Sequence, residues 1–274
     1  MAARPAARLI SCASCKRLYM FPAMTDSNSP ADQPGRDNLF ANTLSDPGLF
    51  SFNASVAGVF PDMIKRSVPG YSTVIAMTGL VAARHARPGT RIYDLGCSLG
   101  ASLLAAAHHL GDTNCQLIGI DNSPAMLSRA RDFINAEHLS LPIELIEADI
   151  ADYPFDNASV FIMNYTLQFV PLESRAPLLR RIRAAMQPGD ALILSEKLRL
   201  EAPQMDQWMI DLHHDFKRAQ GYSDLEIAQK RQALENVLVP ETRSGHVERL
   251  RECGFSGCDF WFQCFNFASA VAIA

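Results

Sequence analysis

Hydrophobic positions along the chain switch between two periods. Short runs rich in β-branched and aromatic residues at Thr90–Leu95, Gln116–Ile120, Ile143–Ile146, Ser159–Met163 and Ala191–Leu194 predict five strands. Helical patterns lie between them. One covers Ala101–Leu110. A second opens at Ser123-Pro124, with Ser as N-cap and Pro at the first helical position. A third spans Leu172–Met186 and keeps Leu178, Leu179, Ile182 and Met186 on one face. Strands alternating with helices predict a parallel sheet with right-handed crossovers. After the fifth strand the alternation stops. Pro203 to Val239 predicts two helices flanking a turn at 217–222, the first with Met209, Leu212 and Phe216 on one face, the second opening on Ser223 and running to Val237. A last helix, Ser244–Cys253, precedes two strands, Gly257–Cys264 and Asn266–Ile273, whose short connection requires an antiparallel hairpin. Upstream, 59–71 predicts a short helix leading into a turn, and Ser72–Ala83 a helix with Ser72 as N-cap, which places Tyr71 near the first strand.

Residues 25–48 are polar and turn-rich and predict linker or disorder, with order beginning near Phe50. Residues 1–23 hold Arg4, Arg8, Lys16 and Arg17 and no acid. That composition fits a targeting segment or, as preferred here, a start codon read upstream of Met24. The expected organisation is a disordered extension over 1–49, then one domain over 50–274 with a helical insertion at about 203–240. No uncharged apolar run reaches the roughly 18 residues of a membrane span; the longest, Phe260–Ala274, is shorter and carries Gln263 and Asn266. The net charge is −4, and setting aside the four basic residues of 1–23 leaves −8 on the remainder. An acidic body argues against gripping nucleic acid unaided. The seven cysteines include Cys12-x-x-Cys15, but no second Cys or His pair completes a metal site. No metal is expected, and free thiols fit a reducing cytoplasm.

The candidate chemistry starts at Tyr93-Asp94-Leu95-Gly96-Cys97-Ser98-Leu99-Gly100, a strand, a Gly-containing turn and a helix start. This arrangement turns backbone N–H groups toward a ligand. It lacks the middle Gly of a dinucleotide fingerprint. Asp94 would repel a pyrophosphate but suits an ammonium, which points to S-adenosylmethionine (SAM) rather than NAD. In a doubly wound sheet the ligand lies at the strands' carboxyl ends. There the sequence puts Gly96, Cys97 and Ser98, then Asp121 and Asn122, then Asp149 and Ile150, then Asn164. Asp121 suits the ribose hydroxyls; Asp149 suits the adenine amino group, with Ile150 against the ring. Cys97 has no identifiable activating base and reads as a packing residue. His213 and His214 are neighbours on a helix and point about 100° apart, so they do not chelate together. Lys230-Arg231 is either a solvated helix face or a lid that brings an Arg onto a carboxylate. The parallel sheet finished by a reversed strand is the pattern of SAM-dependent methyltransferase-like folds.

Further stretches carry a closer likeness: 59–71 (VFPDMIKRSVPGY), 93–100 (YDLGCSLG), 120–126 (IDNSPAM), 194–197 (LSEK), 213–219 (HHDFKRA), 229–231 (QKR) and 260–267 (FWFQCFNF). Through them the chain resembles the carboxy-S-adenosyl-L-methionine synthases from about Phe50 to Ile273. The resemblance implies a class I, Rossmann-like α/β fold with a mostly parallel seven-stranded sheet, an antiparallel last strand and a helical lid. It implies conversion of SAM and prephenate to carboxy-SAM, phenylpyruvate and water, without metal. It also implies a homodimer whose product feeds a tRNA wobble-uridine carboxymethyltransferase. Its ligand contacts fall on Tyr71, Gly96, Cys97, Ser98, Asp121, Asn122, Asp149, Ile150, Asn164 and Arg231, with Arg231 and Tyr71 nearest the chemistry. The competing readings are an ordinary SAM-dependent methyltransferase, which has no need of a buried guanidinium near the methyl, and a non-catalytic carboxy-SAM delivery protein, which would show no turnover.

Overall fold

In the computed structural model the described residues are 35–44, 48–137, 139, 141–235 and 237–274. The chain divides after Gln33, and all of these belong to the unit Pro34–Ala274. The expectations for 1–23 lie outside the described residues.

Seven strands form one sheet: β1 (Arg91–Leu95), β2 (Gln116–Asp121), β3 (Ile143–Glu147), β4 (Ala158–Asn164), β5 (Met186–Lys197), β6 (Gly257–Cys264) and β7 (Phe267–Ile273). Their order is β3-β2-β1-β4-β5-β7-β6. Pairing is parallel from β3 through β5. β7 runs antiparallel to both β5 and β6, so it alone is reversed. The chain leaves β1 in one direction for β2 and β3 and returns across it for β4 and β5. The reversal between β1 and β4 opens a crevice at the carboxyl ends of the strands.

Alternation along the central strands sorts side chains to two faces. Ile92, Leu117, Val160, Ile162 and Ile193 join Leu103 in one buried cluster; Tyr93, Leu95, Phe161, Met163, Leu192 and Leu194 join Leu178 and Leu179 in the other. Each such side chain contributes roughly 1.5–3 kcal/mol on burial. The helices α3 (Ala101–Leu110), α4 (Pro124–Ala136), α5 (Leu172–Ala184) and α8 (Arg243–Glu252) link the strands as the periodicity predicts, except that Met186, expected on the inner face of α5, opens β5 instead.

Before the sheet, α1 (Ala54–Ser67) begins earlier than predicted, because the Asn53 side chain accepts the Val56 N–H at 3.1 Å and caps it. In α2 (Tyr71–His85) the N-cap is Gly70, not Ser72. Gly70 sits at φ 77°, and a Cβ there would lie 2.4 Å from Phe262, so no serine-type cap fits this turn.

The insertion is two helices, α6 (Pro203–Ala219) and α7 (Asp224–Leu234), the second opened by a capping box between Ser223 and Glu226. Its ends are pinned together. Leu198 bridges Glu241, and the fully buried Arg175 donates to the carbonyls of Gln168, Val170 and Val239 and pairs with Glu241. Burial alone would raise Glu241, but hydrogen bonds from Arg249 and Arg175 hold it down, at about 2.

The expected linker differs at residues 35–44, which are docked. Asp37 is only 2% exposed. Its carboxylate accepts from Lys230 Nζ at 3.2 Å and from the Tyr222 hydroxyl, its N–H donates to Asp62 at 2.8 Å, and its carbonyl accepts from Arg66 at 3.1 Å. The Gln229 amide adds three bonds, accepting the Leu44 N–H at 2.7 Å and donating to the carbonyls of Phe40 and Asn42 at 2.9 Å, so distant polar side chains hold the segment, and hydrophobic periodicity does not register them.

Candidate functional site

The turn after β1 is built for close approach. Gly96 adopts φ 70°, and a Cβ there would lie 2.6 Å from Thr166. The Gly96 and Cys97 N–H groups donate to the Ile120 carbonyl at 2.8 and 3.1 Å, tying the turn to β2. Ser98, at φ 51°, points its N–H at Asp121 Oδ2, 2.8 Å away, while Asp121 Oδ1 accepts the Ser123 N–H at 2.9 Å. The Asp121 carboxylate therefore clamps the ends of β1 and β2 to each other and keeps lone pairs free for two further donors. Burial raises its pKa, and the N–H groups of Ser123, Ser98 and Asn122 pull it back.

Asp94 is 3% exposed, and no described residue donates a hydrogen bond to its carboxyl. Burial, reinforced by the neighbouring Asp121, pushes it up to about 8. A carboxylate held in that state gains from a bound cation, and an amino acid's ammonium is the simplest one to supply. Cys97 sits with these two acids, and burial pushes its thiol up well above the ordinary value, so it is no nucleophile. Its sulfur packs over Gly119, where a Cβ would lie 2.9 Å from it.

Asn122 and Asp149 are exposed at the ends of β2 and β3, and Ile150 and Ser98 are half-buried. Asp149 Oδ1 accepts the Ala151 N–H at 2.8 Å, which fixes its turn. These residues join Gly96, Cys97 and Asp121 along the same edge of the sheet.

Asn164 departs from the sequence expectation of a polar group aimed into the crevice. Its amide donates to Ser102 Oγ at 2.9 Å and Thr78 Oγ1 at 3.2 Å, and accepts from Ser195 Oγ at 2.6 Å. The side chain is an internal tie between α2, α3, β4 and β5. Hydroxyls within reach on buried helix faces claim it, and periodicity gives no sign of them.

Tyr165, at φ 64°, follows β4 and faces Tyr71, with ring centroids 6.2 Å apart. Its hydroxyl is buried and has no hydrogen-bond partner among the described residues. Tyr71, the first residue of α2, is half-buried and packs in one cluster with Phe267 and with Tyr165, which follows β4 at the carboxyl edge of the sheet. Behind Tyr165, Glu196 at the end of β5 accepts the Leu167 and Gln168 N–H groups at 3.0 and 2.9 Å; burial pushes it up to about 8 against the pull of Arg175. Strand-end position alone does not single out Glu196, although it lies in the LSEK stretch at 194–197.

Arg231 also differs from expectation. It is exposed on α7, where it lines an open groove of about 480 Å³ with His214, Arg218 and Glu235. The inward residue is Lys230, caught by Asp37 and by Ser67 Oγ at 3.0 Å. Successive helix residues point about 100° apart, so seating Lys230 turns Arg231 outward. Its charge still reaches the crevice side: it lowers both Lys197, after burial, and His214, after burial and Lys217.

Among the described residues no His, Cys, Asp or Glu group could hold a metal ion, and no helix is long and apolar enough to cross a membrane.

Residues 92–189 match a family described as "Methyltransferase domain". A carboxy-S-adenosyl-L-methionine synthase of Trichlorobacter lovleyi is 52% identical over 86% of this chain and 98% of its own length. That of Vibrio campbellii is 50% identical over 89% and 99%. Among solved structures, human N-acetylserotonin methyltransferase in complex with SAM superposes with a TM-score of 0.53 at 17% identity, over 80% of this chain and 56% of that one, a likeness of fold alone.

Proposed function

The chain belongs to the carboxy-S-adenosyl-L-methionine synthase family, and from that premise we propose the co-substrate, site roles and partners that follow. It is a SAM-dependent transferase whose product is carboxy-SAM. Prephenate is the source of the carboxyl group, and phenylpyruvate and water leave.

The Asp94 carboxyl, without a hydrogen-bond donor among the described residues, carries the reading of the sulfonium site. Beside Asp121 it meets the ammonium of SAM, while Asp121 and Asn122 take the ribose hydroxyls and Asp149 and Ile150 the adenine. Gly96, Cys97, Ser98 and Asn164 shape the floor. The adjoining positive sulfur makes the SAM methyl unusually acidic. Prephenate loses its ring carboxylate as CO2 and its ring hydroxyl as hydroxide when the ring aromatises. The hydroxide takes one methyl proton to give water, and the carbanion bonds CO2, so atoms and charge balance. Water would quench that carbanion, which gives α6 and α7 their purpose as a lid. Tyr71 orients the reactants, and holding them in contact supplies much of the rate. Arg231, in the groove at the lid's outer edge, binds the newly attached carboxylate of the product.

The protein works as a cytoplasmic homodimer without bound nucleic acid, and its product serves a tRNA wobble-uridine carboxymethyltransferase. The test is to incubate purified protein with SAM and prephenate and weigh the nucleoside. A product heavier by one CO2 is expected. Methylation of an acceptor with no such product would defeat the reading. Arg231→Ala should lower turnover by about 10- to 100-fold, as for loss of a charge-assisted hydrogen bond, with SAM affinity kept; unchanged turnover would remove Arg231 from the site.

A further inference from the structure

The lid turns more positive charge inward than the surrounding protein answers. Lys217, on the inner face of α6, is 7% exposed, and no described residue gives its ammonium a hydrogen bond or an ion pair. Buried lysines are normally paired, because an ammonium taken from water without a partner is costly. One turn earlier on the same face, His213 is buried with Nε2 2.8 Å from the Ser67 carbonyl, and its ring packs edge-on against Phe267 with centroids 4.9 Å apart. Phe267 is the register partner of Lys197, the last residue of β5, whose ammonium also lacks a partner among the described residues. Phe267 in turn packs on Tyr165 at 6.1 Å, and Tyr165 faces Tyr71. The two lysines thus belong to a wall that lies one aromatic layer from the Tyr71 and Tyr165 pair at the carboxyl edge of the sheet.

The nearby acids are already engaged. Asp37 serves Lys230 and Tyr222, and Asp206 accepts the Leu200 N–H at 2.7 Å. Burial, then Lys230 and Lys197, bring Lys217 down to about 7, and burial followed by Arg231 lowers Lys197. An anion entering here would relieve both groups.

We propose that Lys217 and Lys197 form the anion subsite of the co-substrate, holding the carboxylate that a dicarboxylic 2-oxo acid keeps through the reaction. This rests on the prephenate reading above. The retained carboxylate is the one cations should grip. A carboxylate that must leave as neutral CO2 would be held back by them, since only binding stronger in the transition state accelerates a step. The pair therefore anchors the side chain of the acid and leaves its ring carboxylate toward the sulfonium methyl.

Protein loaded with S-adenosylhomocysteine, which has no methyl to give, lets prephenate binding be read by calorimetry without turnover. Lys217→Met keeps the packing volume and removes a buried charge, so folding should be unimpaired, and unchanged S-adenosylhomocysteine affinity checks the crevice. The prephenate Kd should weaken by at least about 10-fold, as expected for a lost charged hydrogen bond, with partial recovery in Lys217→Arg. In turnover, KM for prephenate should rise by the same factor while KM for SAM holds. Lys197→Met carries the same expectation and takes the first variant's place should that one not fold. Equal prephenate affinity in wild type and variant would overturn the subsite and leave prephenate standing as co-substrate. A wild-type protein that neither binds prephenate nor carboxylates SAM with it would remove both.

Discussion

Asp121→Asn tests the site at the point where fold and ligand share one group. The wild-type carboxylate accepts the Ser98 N–H at 2.8 Å and the Ser123 N–H at 2.9 Å, one on each oxygen. An amide offers one oxygen and one NH2. Either the turn after β1 or the start of α4 must then face a donor with a donor. Hydrogen bonds to a charged group contribute about 1.5–3 kcal/mol, and Asp121 is buried enough for that range to apply undiscounted. In the proposed assignment the ribose hydroxyls meet the same altered group. SAM affinity should fall by about 10- to 150-fold, the factor equivalent to that energy. For a domain of this size the thermal midpoint should drop by several degrees, at about 2–4 °C per kcal/mol. Titration calorimetry with SAM, beside a thermal melt, reads both. A variant that binds SAM within about threefold of wild type, on the same tenfold-per-1.4 kcal/mol scale, would show that Asp121 neither shapes the turn nor touches the ligand.

Two further outcomes follow from the same geometry, and a third from the composition of residues 1–23. Gly96→Ala forces φ 70° on an L-residue, at about 1–2 kcal/mol, and drives a methyl to 2.6 Å from Thr166, so a melt should show destabilisation together with lost SAM binding; a neutral result would contradict the turn. Asp94, raised from 3.8 to about 8 by burial and then by Asp121, keeps its proton in the fold where the unfolded chain has lost it. Its contribution therefore destabilises the folded state progressively as pH rises from about 4 to about 8, and SAM binding at pH 7 should release a proton, read by calorimetry in buffers of different ionisation enthalpy. Removing residues 1–23 should leave carboxy-SAM synthesis intact, measured by product mass; lost activity would show that segment to be required.

Legibility in the sequence tracks the length scale of each cause. The sheet was readable because Ile92, Val160 and Ile193 on one face and Tyr93, Phe161 and Leu192 on the other impose a repeating pattern on every central strand. The crevice edge was readable because strand ends in such a sheet collect at one side, so Gly96, Asp121 and Asp149 needed only their register. Single long-range polar contacts were not. Asp37 meets Lys230 across 193 residues, and Asn164 meets Thr78 across 86. Neither contact has a period, and each reverses a local expectation: a linker that is docked, and a site amide that is spent inside the protein. Choosing Lys230 over Arg231 as the inward residue rests on the same distant carboxylate, which helix spacing cannot supply.

The tie at Asn164 extends one strand farther, because Ser195 Oγ also lies 2.8 Å from Ser269 Oγ on β7. A serine hydroxyl owns one hydrogen. Ser195 gives its hydrogen to Asn164 Oδ1, so Ser269 must be the donor to Ser195. The other edge of the amide meets two more hydroxyls, those of Thr78 and Ser102. A single planar group inside the protein therefore joins α2 and α3 on one edge to β5 and, through Ser195, to β7 on the other, so four hydroxyls on four elements share one row.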